Sequence, residues 1–186
     1  MQKQISILVL SFLLISCDTL LGARPQSGDF EVSFGTSTDL YAMTAVFYYY
    51  LHKKVEQGLE SGYRVDQRVE KNVKYFQRAI VHSSSLLIRE ASSKEALGFL
   101  TWEVVDDYYG EIQHWIISQK GLNGLCAGLL FDKLERHLRK TLGSVRISML
   151  RRQEAGIRFL KRRGYVNSGP DEADHNCDIY IKSLLA

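Results

Sequence analysis

The spacing of apolar residues along this chain switches repeatedly between the period of a strand and the period of a helix. Phe30, Val32 and Phe34 alternate with polar residues, which is typical of a strand. Apolar residues then recur at helical spacing over residues 40–57 and again over residues 69–80. A chain that changes period in this way folds into strands and helices that share a core.

The same periods divide the rest of the chain. Short strands are predicted over residues 86–88, 97–105, 111–117, 145–149 and 179–184, and helices over residues 125–142 and 154–163. A final hairpin is predicted with its turn at residues 168–171, where Ser, Gly, Pro and Asp follow one another. This order of elements predicts an α/β fold: a single mixed, mainly antiparallel sheet with flanking helices.

Length and composition agree with one domain of this kind. The chain has 186 residues, and an average domain has roughly 150. Hydrophobic residues make up 45% of the chain and charged residues 24%, so it can bury a core. The net charge of +3 is too small for a nucleic-acid-binding domain, which concentrates a larger basic excess on one face. A local anionic partner stays open, because many of the basic residues lie within residues 133–163.

The first 17 residues resemble a bacterial lipoprotein signal peptide. An apolar run over residues 5–15 is too short to span a membrane stably, and Ser and then Cys17 follow it. In such signals the cysteine sulfur takes a lipid, so Cys17 is the predicted lipidation site and the protein is expected on a membrane. Residues 18–29 would form a tether to a folded domain of residues 30–186. Two alternatives are a mis-assigned start, which would leave the protein cytoplasmic, and an amino-terminal helix that packs on the domain.

Metal binding is not predicted. Besides Cys17 the chain has two cysteines, Cys126 and Cys177, which are far apart in sequence. Their separation fits neither a zinc-binding spacing nor a disulfide framework.

Two segments of the chain resemble the GNAT family of N-acetyltransferases. The first runs from Glu111 to the Leu129-Leu130 pair and is similar to the central strand, pyrophosphate loop and following helix of that family. The second, residues 153–165, is similar to the family segment Asn-x-x-Ala-x-x-x-Tyr-x-x-x-Gly-Phe. The resemblance extends over residues 30–185. It implies the acyl-CoA N-acyltransferase fold, acetyl-CoA as the acetyl donor, and an amine of unknown identity as the acceptor.

The loop after the predicted strand 111–117 has a physical reason to bind phosphate. A strand that ends in a Gly-containing turn and opens a helix presents unpaired backbone N–H groups to an anion. The predicted coenzyme-binding residues are Ile117, Lys120, Gly121, Asn123, Gly124, Leu125 and Cys126. Gly121 and Cys126 depart from the family loop Arg/Gln-x-x-Gly-x-Gly/Ala, and Lys120 is expected to supply the missing cation. An ordinary connection between a strand and a helix is the alternative interpretation.

Acetyl transfer requires a neutral amine, and therefore a base that takes its proton. The resemblance implies this role for Glu111, because family members carry a glutamate in a similar Glu-Ile start of the central strand. Glu103 on the preceding predicted strand is the second candidate, and a surface carboxylate without a catalytic role is the alternative for Glu111. Regular alternation would direct one set of side chains to the same face and His114 to the other; the set is Glu111, Gln113, Trp115 and Ile117.

One family position departs more strongly than the others. The tyrosine that protonates the departing thiolate in the family falls on Leu160 here, so the resemblance leaves water or another tyrosine, such as Tyr180, for this step. Two functions are therefore predicted: an acyl-CoA-dependent N-acetyltransferase, or a non-catalytic envelope lipoprotein that keeps the fold as a binding module. Export separates the two, because acetyl-CoA is a cytoplasmic metabolite and an exported domain would lack it.

Overall fold

The computed structural model describes residues 26–58, 62–118 and 123–185, and seven strands and four α-helices lie within them. The strands are β1 (Phe30–Phe34), β2 (Ser85–Glu90), β3 (Ala96–Val105), β4 (Tyr109–Ile117), β5 (Ser144–Leu150), β6 (Val166–Pro170) and β7 (Cys177–Ser183). The helices are α1 (Leu40–Glu56), α2 (Val65–Val81), α3 (Asn123–Leu138) and α4 (Glu154–Arg162). The predicted signal peptide with Cys17, most of the predicted tether, and the predicted coenzyme residues Lys120 and Gly121 lie outside the described residues.

All seven strands form one sheet in the order β1-β2-β3-β4-β5-β7-β6. Every neighbouring pair is antiparallel except β4 and β5, which are parallel. Parallel neighbours need a crossover connection, and α3 lies in this one. The sheet is therefore mixed and mainly antiparallel with flanking helices, which confirms the predicted fold class.

Helices cover both faces of the sheet and enclose two apolar cores. On one face, called the α2 face, α1 and α2 pack over the sheet, and the rings of Phe76 and Phe99 meet with centroids 5.1 Å apart. On the opposite face, called the α3 face, α3 and α4 share a core with the sheet through Leu130, Leu160 and Trp102. Burial on both faces explains why the middle strands contain long apolar runs.

A β-bulge in β4 interrupts the regular alternation of its side chains. In the register with β3, Thr101 lies opposite His114, but Trp102 lies opposite Ile112. Gln113 is therefore an extra residue on β4 with no partner in this register. Such an insertion shifts the phase of all later side chains by one position.

The bulge contradicts the prediction that Glu111 shares a face with Trp115 and Ile117. Gly110 and Ile112 are on the α3 face, because a Cβ on Gly110 would meet α3 and Ile112 belongs to the α3-face core. Glu111 between them is therefore directed to the α2 face. Past the extra residue, Trp115 and Ile117 pack on the α3-face core. Glu111 thus shares its face with the histidine that was expected on the opposite one.

The carboxy-terminal hairpin also differs from the prediction. The sequence predicts a turn at residues 168–171, but β6 continues to Pro170 and the connection to β7 spans residues 171–176. β6 is the edge strand of the sheet, and its register with β7 shifts between Asn167 and Gly169, where Gly169 has φ = +110°. Glycine and proline are turn signals in a sequence, yet edge strands tolerate both.

The ends of several elements agree closely with the predicted ones. β1 begins at Phe30, the first residue of the predicted strand, and α1 ends at Glu56. α3 begins at Asn123, two residues before the predicted helix start at Leu125. Among the described residues, every helix is too short or too polar to cross a membrane.

Candidate active site

The parallel strands β4 and β5 separate at one end and open a cleft. Their pairing begins at Tyr109 with Ser144 and ends at Ile112 with Ile147, next to the extra residue Gln113. A cleft of ≈ 870 Å³ lies beyond the last pair. Its walls come from β4, β5 and all four helices, so both faces of the sheet contribute to it. Bulges of this kind end strand pairing and often lie beside active sites.

The unpaired half of β4 offers backbone groups to this cleft. Ser118, directly after β4, donates its N–H to the carbonyl of Leu97 at 2.7 Å. The backbone groups of Ser118 are therefore directed toward β3. Alternate residues of an antiparallel strand direct their backbone groups to the same neighbour, so residues 114 and 116 also face β3. Residues 115 and 117 therefore direct their N–H and C=O groups toward β5, where the register has ended.

Three aromatic rings form the wall of the cleft on the α3 face. The ring centroid of Trp115 lies 5.0 Å from that of Phe131 and 5.1 Å from that of Phe159, and Phe131 and Phe159 are 5.2 Å apart. Trp115 and Phe159 line the cleft, while Phe131 is fully buried behind them. This wall is apolar and closely packed, which suits contact with an apolar part of a ligand.

The first turn of α3 also borders the cleft. Gly124 and Ala127, one turn apart, both line it. The first N–H groups of a helix have no partner within the helix and carry its positive dipole end, so this turn suits a phosphate group. The predicted coenzyme residues Ile117 and Gly124 thus lie on the cleft. Cys126 points away from it into the α3-face core, where burial raises the pKa of its thiol.

Two more of the predicted coenzyme residues lie in the first turn of α3. Asn123 is the first residue of α3, and Leu125 is half-buried and is not among the described residues that line the cleft. Lys120 and Gly121 lie in the connection between β4 and α3, outside the described residues. Their part in coenzyme binding stays a prediction.

His114 connects β4 to α2 through hydrogen bonds on the α2 face. Its Nε2 lies 2.7 Å from Oδ1 of Asn72, and its Nδ1 lies 2.9 Å from Oγ1 of Thr101. The Asn72 amide is oriented by its Nδ2, which donates to the carbonyl of Arg68 at 2.8 Å. Oδ1 of Asn72 therefore accepts from Nε2–H, and Nδ1 of the neutral ring accepts from the hydroxyl of Thr101.

The surroundings of His114 keep its ring neutral. Burial lowers its pKa to about 4, and the nearby positive charge of Arg68 acts in the same direction. Four aromatic rings surround it at centroid distances of 5.1 to 6.4 Å: Phe47, Tyr75, Phe76 and Phe99. Because both ring nitrogens are hydrogen-bonded, the His114 ring links Asn72 of α2 to Thr101 of β3 at the cleft wall.

The two predicted carboxylates lie side by side at the paired end of β4. Glu111 and Glu103 are partners in the register of β3 with β4. Oε1 of Glu111 lies 3.3 Å from Nε of Arg146 on β5, and Nη1 of Arg146 also donates to the hydroxyl of Tyr109 at 3.3 Å. Among the described residues, Ile112 is the first residue of β4 that lines the cleft. Glu111 precedes it and therefore lies just outside the edge of the cleft. Their catalytic roles stay predictions.

The position expected for the thiolate's proton donor carries no acidic proton. Leu160 is fully buried in the α3-face core, and its neighbour Phe159 lines the cleft. Tyr180 is also buried in that core, and its hydroxyl lies 3.5 Å from Nδ2 of Asn167. Among the described residues that line the cleft, Tyr50 and Ser148 carry hydroxyl groups.

Reasoning from the sequence missed a polar group of cleft residues on the α2 face. They are Lys54, Arg68, Asn72 and Ser148. The spacing of Phe47, Tyr50 and Lys54 on α1, and of Arg68 and Asn72 on α2, places each set on one side of its helix. This helical spacing can be seen in the sequence. The spacing does not show which part of the fold that side of each helix packs against.

No protein-family model matches the sequence, and no curated protein matches it either. Solved structures do match. The PaiA N-acetyltransferase of Thermoplasma acidophilum in complex with coenzyme A has a TM-score of 0.69 and 16% identity over 83% of this chain and 98% of that one. A GNAT-family acetyltransferase of Bacillus cereus has a TM-score of 0.61 and 15% identity over 84% and 99%. One of Staphylococcus aureus has a TM-score of 0.65 and 12% identity over 83% and 99%. The fold is that of the GNAT acyltransferases.

In the part of this GNAT fold that the structure describes, no three His, Cys, Asp or Glu side chains lie close enough together to hold a metal ion. Among the described residues, the cleft offers backbone N–H groups, the first turn of α3, and the polar side chains of the α2 face.

Proposed function

We propose that this protein is an acyl-CoA-dependent N-acetyltransferase, which moves an acetyl group from acetyl-CoA to an amine. The observation that carries the proposal is the cleft between β4 and β5, which joins an unpaired strand edge to the first turn of a helix. The cleft is lined from both faces of the sheet, so two substrates can approach one point from opposite sides. The coenzyme A complex of the similar Thermoplasma acidophilum protein supports the choice of donor.

The donor is expected on the α3 face. The first turn of α3 at Gly124 would hold the pyrophosphate through backbone N–H groups, together with the predicted residues Lys120 and Gly121. The pantetheine arm would follow the backbone of residues 113–117 against Trp115 and Phe159. A backbone N–H of this strand would donate to the thioester oxygen and bind it more strongly as negative charge develops there.

The acceptor is expected on the α2 face. Its amine nitrogen attacks the thioester carbonyl carbon, so that a C–N bond forms and the C–S bond breaks with its electron pair on sulfur. Glu111 is the proposed base that takes the amine proton, directly or through water, and Glu103 is the second candidate. The guanidinium of Arg146, with its Nε 3.3 Å from Oε1 of Glu111, would attract the carboxylate and help to orient it. Water would protonate the thiolate, since neither Phe159 nor Leu160 can.

Coenzyme binding tests the proposal most directly. We expect calorimetry of the purified protein with CoA to give a micromolar Kd, or roughly −8 kcal/mol. Trp115 on the cleft wall should report binding by a change in fluorescence. The absence of both heat and a thermal shift at millimolar CoA would contradict the proposal.

Two glycines of α3 provide a matched pair of variants. A Cβ at Gly124 or at Gly128 would meet nothing within 4 Å, so both positions accept a side chain, but of the two only Gly124 lines the cleft. Gly124→Asp puts a negative charge where the pyrophosphate is expected and should weaken CoA binding about 10-fold or more. Gly128→Asp should change it little. Equal effects of the two variants would mean that the first turn of α3 does not bind the coenzyme.

A second candidate function is a non-catalytic binding module with the same fold. The buried Leu160 at the proton-donor position and the departures at Gly121 and Cys126 favour it. Release of free thiol from acetyl-CoA in the presence of amines separates the two functions. Tight CoA binding without amine-dependent thiol release would favour the binding module.

For this second candidate function we also propose that Cys17 is the lipidated first residue of the mature protein, which then lies on a membrane, away from cytoplasmic acetyl-CoA. The apolar run before Cys17 supports this proposal. Intact-mass analysis of the native protein should show the loss of residues 1–16 and added lipid, and Cys17→Ser should abolish both. A soluble protein that keeps residues 1–16 would overturn the proposal and leave the domain beside cytoplasmic acetyl-CoA.

A further inference from the structure

Ser148 lies at the point where β4 and β5 separate. The last pair of these two strands is Ile112 with Ile147, so Ser148 is the first residue of β5 beyond the pairing. Its neighbours Ile147 and Met149 belong to the α3-face core. Because side chains alternate along a strand, Ser148 is directed to the α2 face, and it lines the cleft there. It therefore brings a hydroxyl group to the face where the acceptor is expected.

The connection between β6 and β7 places a carboxylate beside this hydroxyl. Asp171 is buried, its N–H donates to the carbonyl of Cys177 at 3.0 Å, and its Oδ1 accepts from the N–H of Ala173 at 2.9 Å. The Ser148 hydroxyl donates to the Asp171 carboxylate, and this hydrogen bond is the main cause that holds the pKa of Asp171 below its usual range. The Asp171 carboxylate is therefore ionised at neutral pH and fixed in place by its backbone contacts.

Cys177 is a competing partner for the same hydroxyl, but it is the weaker acceptor. It also lines the cleft, and its thiol lies next to the Ser148 hydroxyl. Burial raises the pKa of this thiol, and its Sγ donates to Oδ2 of Asp174 at 3.4 Å. A neutral thiol accepts a hydrogen bond weakly, whereas an ionised carboxylate accepts strongly. The Ser148 proton is therefore held by Asp171, and the lone pairs of Ser148 Oγ are left for a donor in the cleft.

We propose that Ser148 binds the acceptor amine by accepting a hydrogen bond from its N–H at Oγ, and that Asp171 is the positioning residue that fixes the direction of the Ser148 hydroxyl. The inference rests on the proposed acetyl transfer and adds a substrate-binding residue to the same cleft. An amine whose N–H is bound on β5 keeps its lone pair for the thioester carbonyl, which is expected along β4. A primary amine has a second N–H, which stays available to the base.

Two serines of β5 provide a matched pair of variants. Ser144 and Ser148 lie on the same face of the strand, but of the two only Ser148 is among the described residues that line the cleft. The assay measures amine-dependent thiol release from acetyl-CoA with n-butylamine as the probe acceptor. Ser148→Ala should raise KM for n-butylamine about 5-fold and leave KM for acetyl-CoA unchanged, whereas Ser144→Ala should change neither. Ser148→Thr keeps the hydroxyl and should restore KM for the amine.

A double-mutant cycle tests whether Asp171 acts through Ser148. Asp171→Asn removes the charge that orients the hydroxyl and should also raise KM for n-butylamine, by about 3-fold. In the Ser148→Ala background the same change should have no further effect on that KM, because the hydroxyl is already absent. An unchanged Kd for CoA, measured by calorimetry, shows that each variant is folded. Multiplicative effects of the two substitutions on KM would overturn the role of Asp171.

The outcomes separate this inference from the proposed function. An unchanged KM for n-butylamine in Ser148→Ala would overturn the inference while acetyl transfer stands. So would a lower kcat together with slower amine-independent hydrolysis of acetyl-CoA, because the hydroxyl would then serve the thiolate.

The proposed function fails if CoA does not bind, or if it binds without amine-dependent thiol release. Saturation-transfer NMR of n-butylamine with the CoA-free protein then still tests the amine site. A signal that Ser148→Ala weakens and Ser144→Ala does not would support the site. No signal in wild type, or equal signals in wild type and both variants, would refute it.

Discussion

The two walls of the cleft are held in place by different kinds of contact. On the α3 face, Trp115, Phe131 and Phe159 pack as a triangle of rings with centroids 5.0 to 5.2 Å apart. On the α2 face, Thr101, His114 and Asn72 form a chain of hydrogen bonds, with distances of 2.9 and 2.7 Å. Consecutive residues of β4, His114 and Trp115, contribute one side chain to each wall.

The two walls should therefore respond to different changes. Ring packing depends on volume and contact area, so the α3-face wall should be sensitive to side-chain size and insensitive to pH. The hydrogen-bond chain depends on direction and on the protonation state of His114, so the α2-face wall should be sensitive to polarity and pH.

The largest expected effect is on the α3-face wall. Phe131 is fully buried and contacts both other rings, so Phe131→Ala should lower the free energy of unfolding by about 3–5 kcal/mol. Phe131→Leu keeps most of the volume and should cost about 1.5 kcal/mol or less. Urea unfolding at pH 7.5 measures both losses. If the alanine variant loses no more than the leucine variant, ring packing does not hold this wall.

The next effect concerns the chemistry assigned to the α2 face. Glu111→Gln should lower kcat about 100-fold, because the amine proton then has no acceptor. CoA affinity should stay unchanged, since Glu111 is outside the group of described residues that line the cleft. Steady-state rates and calorimetry of the same variant check both statements. Glu103→Gln is the control, and a drop in that variant alone would reverse the assignment.

The fold could be predicted from the sequence because apolar periodicity reports which side of an element is buried. β6 was missed as a full strand because its Gly169-Pro170 pair is a turn signal, and only its position at the sheet edge makes the pair acceptable. The face of Glu111 was wrong for a related reason. An extra residue in a strand leaves no mark in the sequence, because Gln113 is as ordinary in a regular strand as in a bulge.

The candidate site was predictable only where its residues are close to one another in the sequence. Ile117 and Gly124 flank one strand-to-helix connection, so sequence order alone brings them to the cleft. Lys54 and Arg68 come from helices that precede β4 by many residues, and only the packing of α1 and α2 over the sheet brings them there. Such contacts depend on the tertiary structure, which periodicity does not report.

A smaller effect is expected from the pH response of the α2-face wall. The pKa of His114 is about 4 in the folded protein, below its usual 6.5, so the unfolded chain binds this proton first as pH falls. The stability due to the neutral ring is complete above pH 6.5 and is lost as pH falls from 6.5 toward 4. With partial solvent access, the loss should be about 2 kcal/mol.

A variant isolates this contribution from other titrating groups. His114→Gln keeps a hydrogen-bonding side chain and removes the titration, so wild type should lose about 2 kcal/mol more than the variant between pH 7.5 and pH 4.5. Urea unfolding of both proteins at the two pH values gives the difference. Identical pH dependence would mean that His114 is not kept neutral by the fold. Phe131→Leu should show the pH dependence of wild type, because its wall contains no titrating group.

The smallest effect tests whether the hydrogen bonds of the α2-face wall act as one chain. Thr101 is fully buried, and Thr101→Val removes its hydroxyl with little change of shape, which should cost about 1 kcal/mol at pH 7.5. Asn72→Leu removes the partner at the other ring nitrogen. Since both variants act on the same imidazole, the loss in the double variant should differ from the sum of the single losses by about 0.5 kcal/mol or more. Thr101→Val combined with Phe131→Leu should be additive, because the two residues lie on opposite walls. Additivity in both pairs would show that the hydrogen bonds at His114 are independent of one another. The two walls would then differ only in the polarity of their side chains.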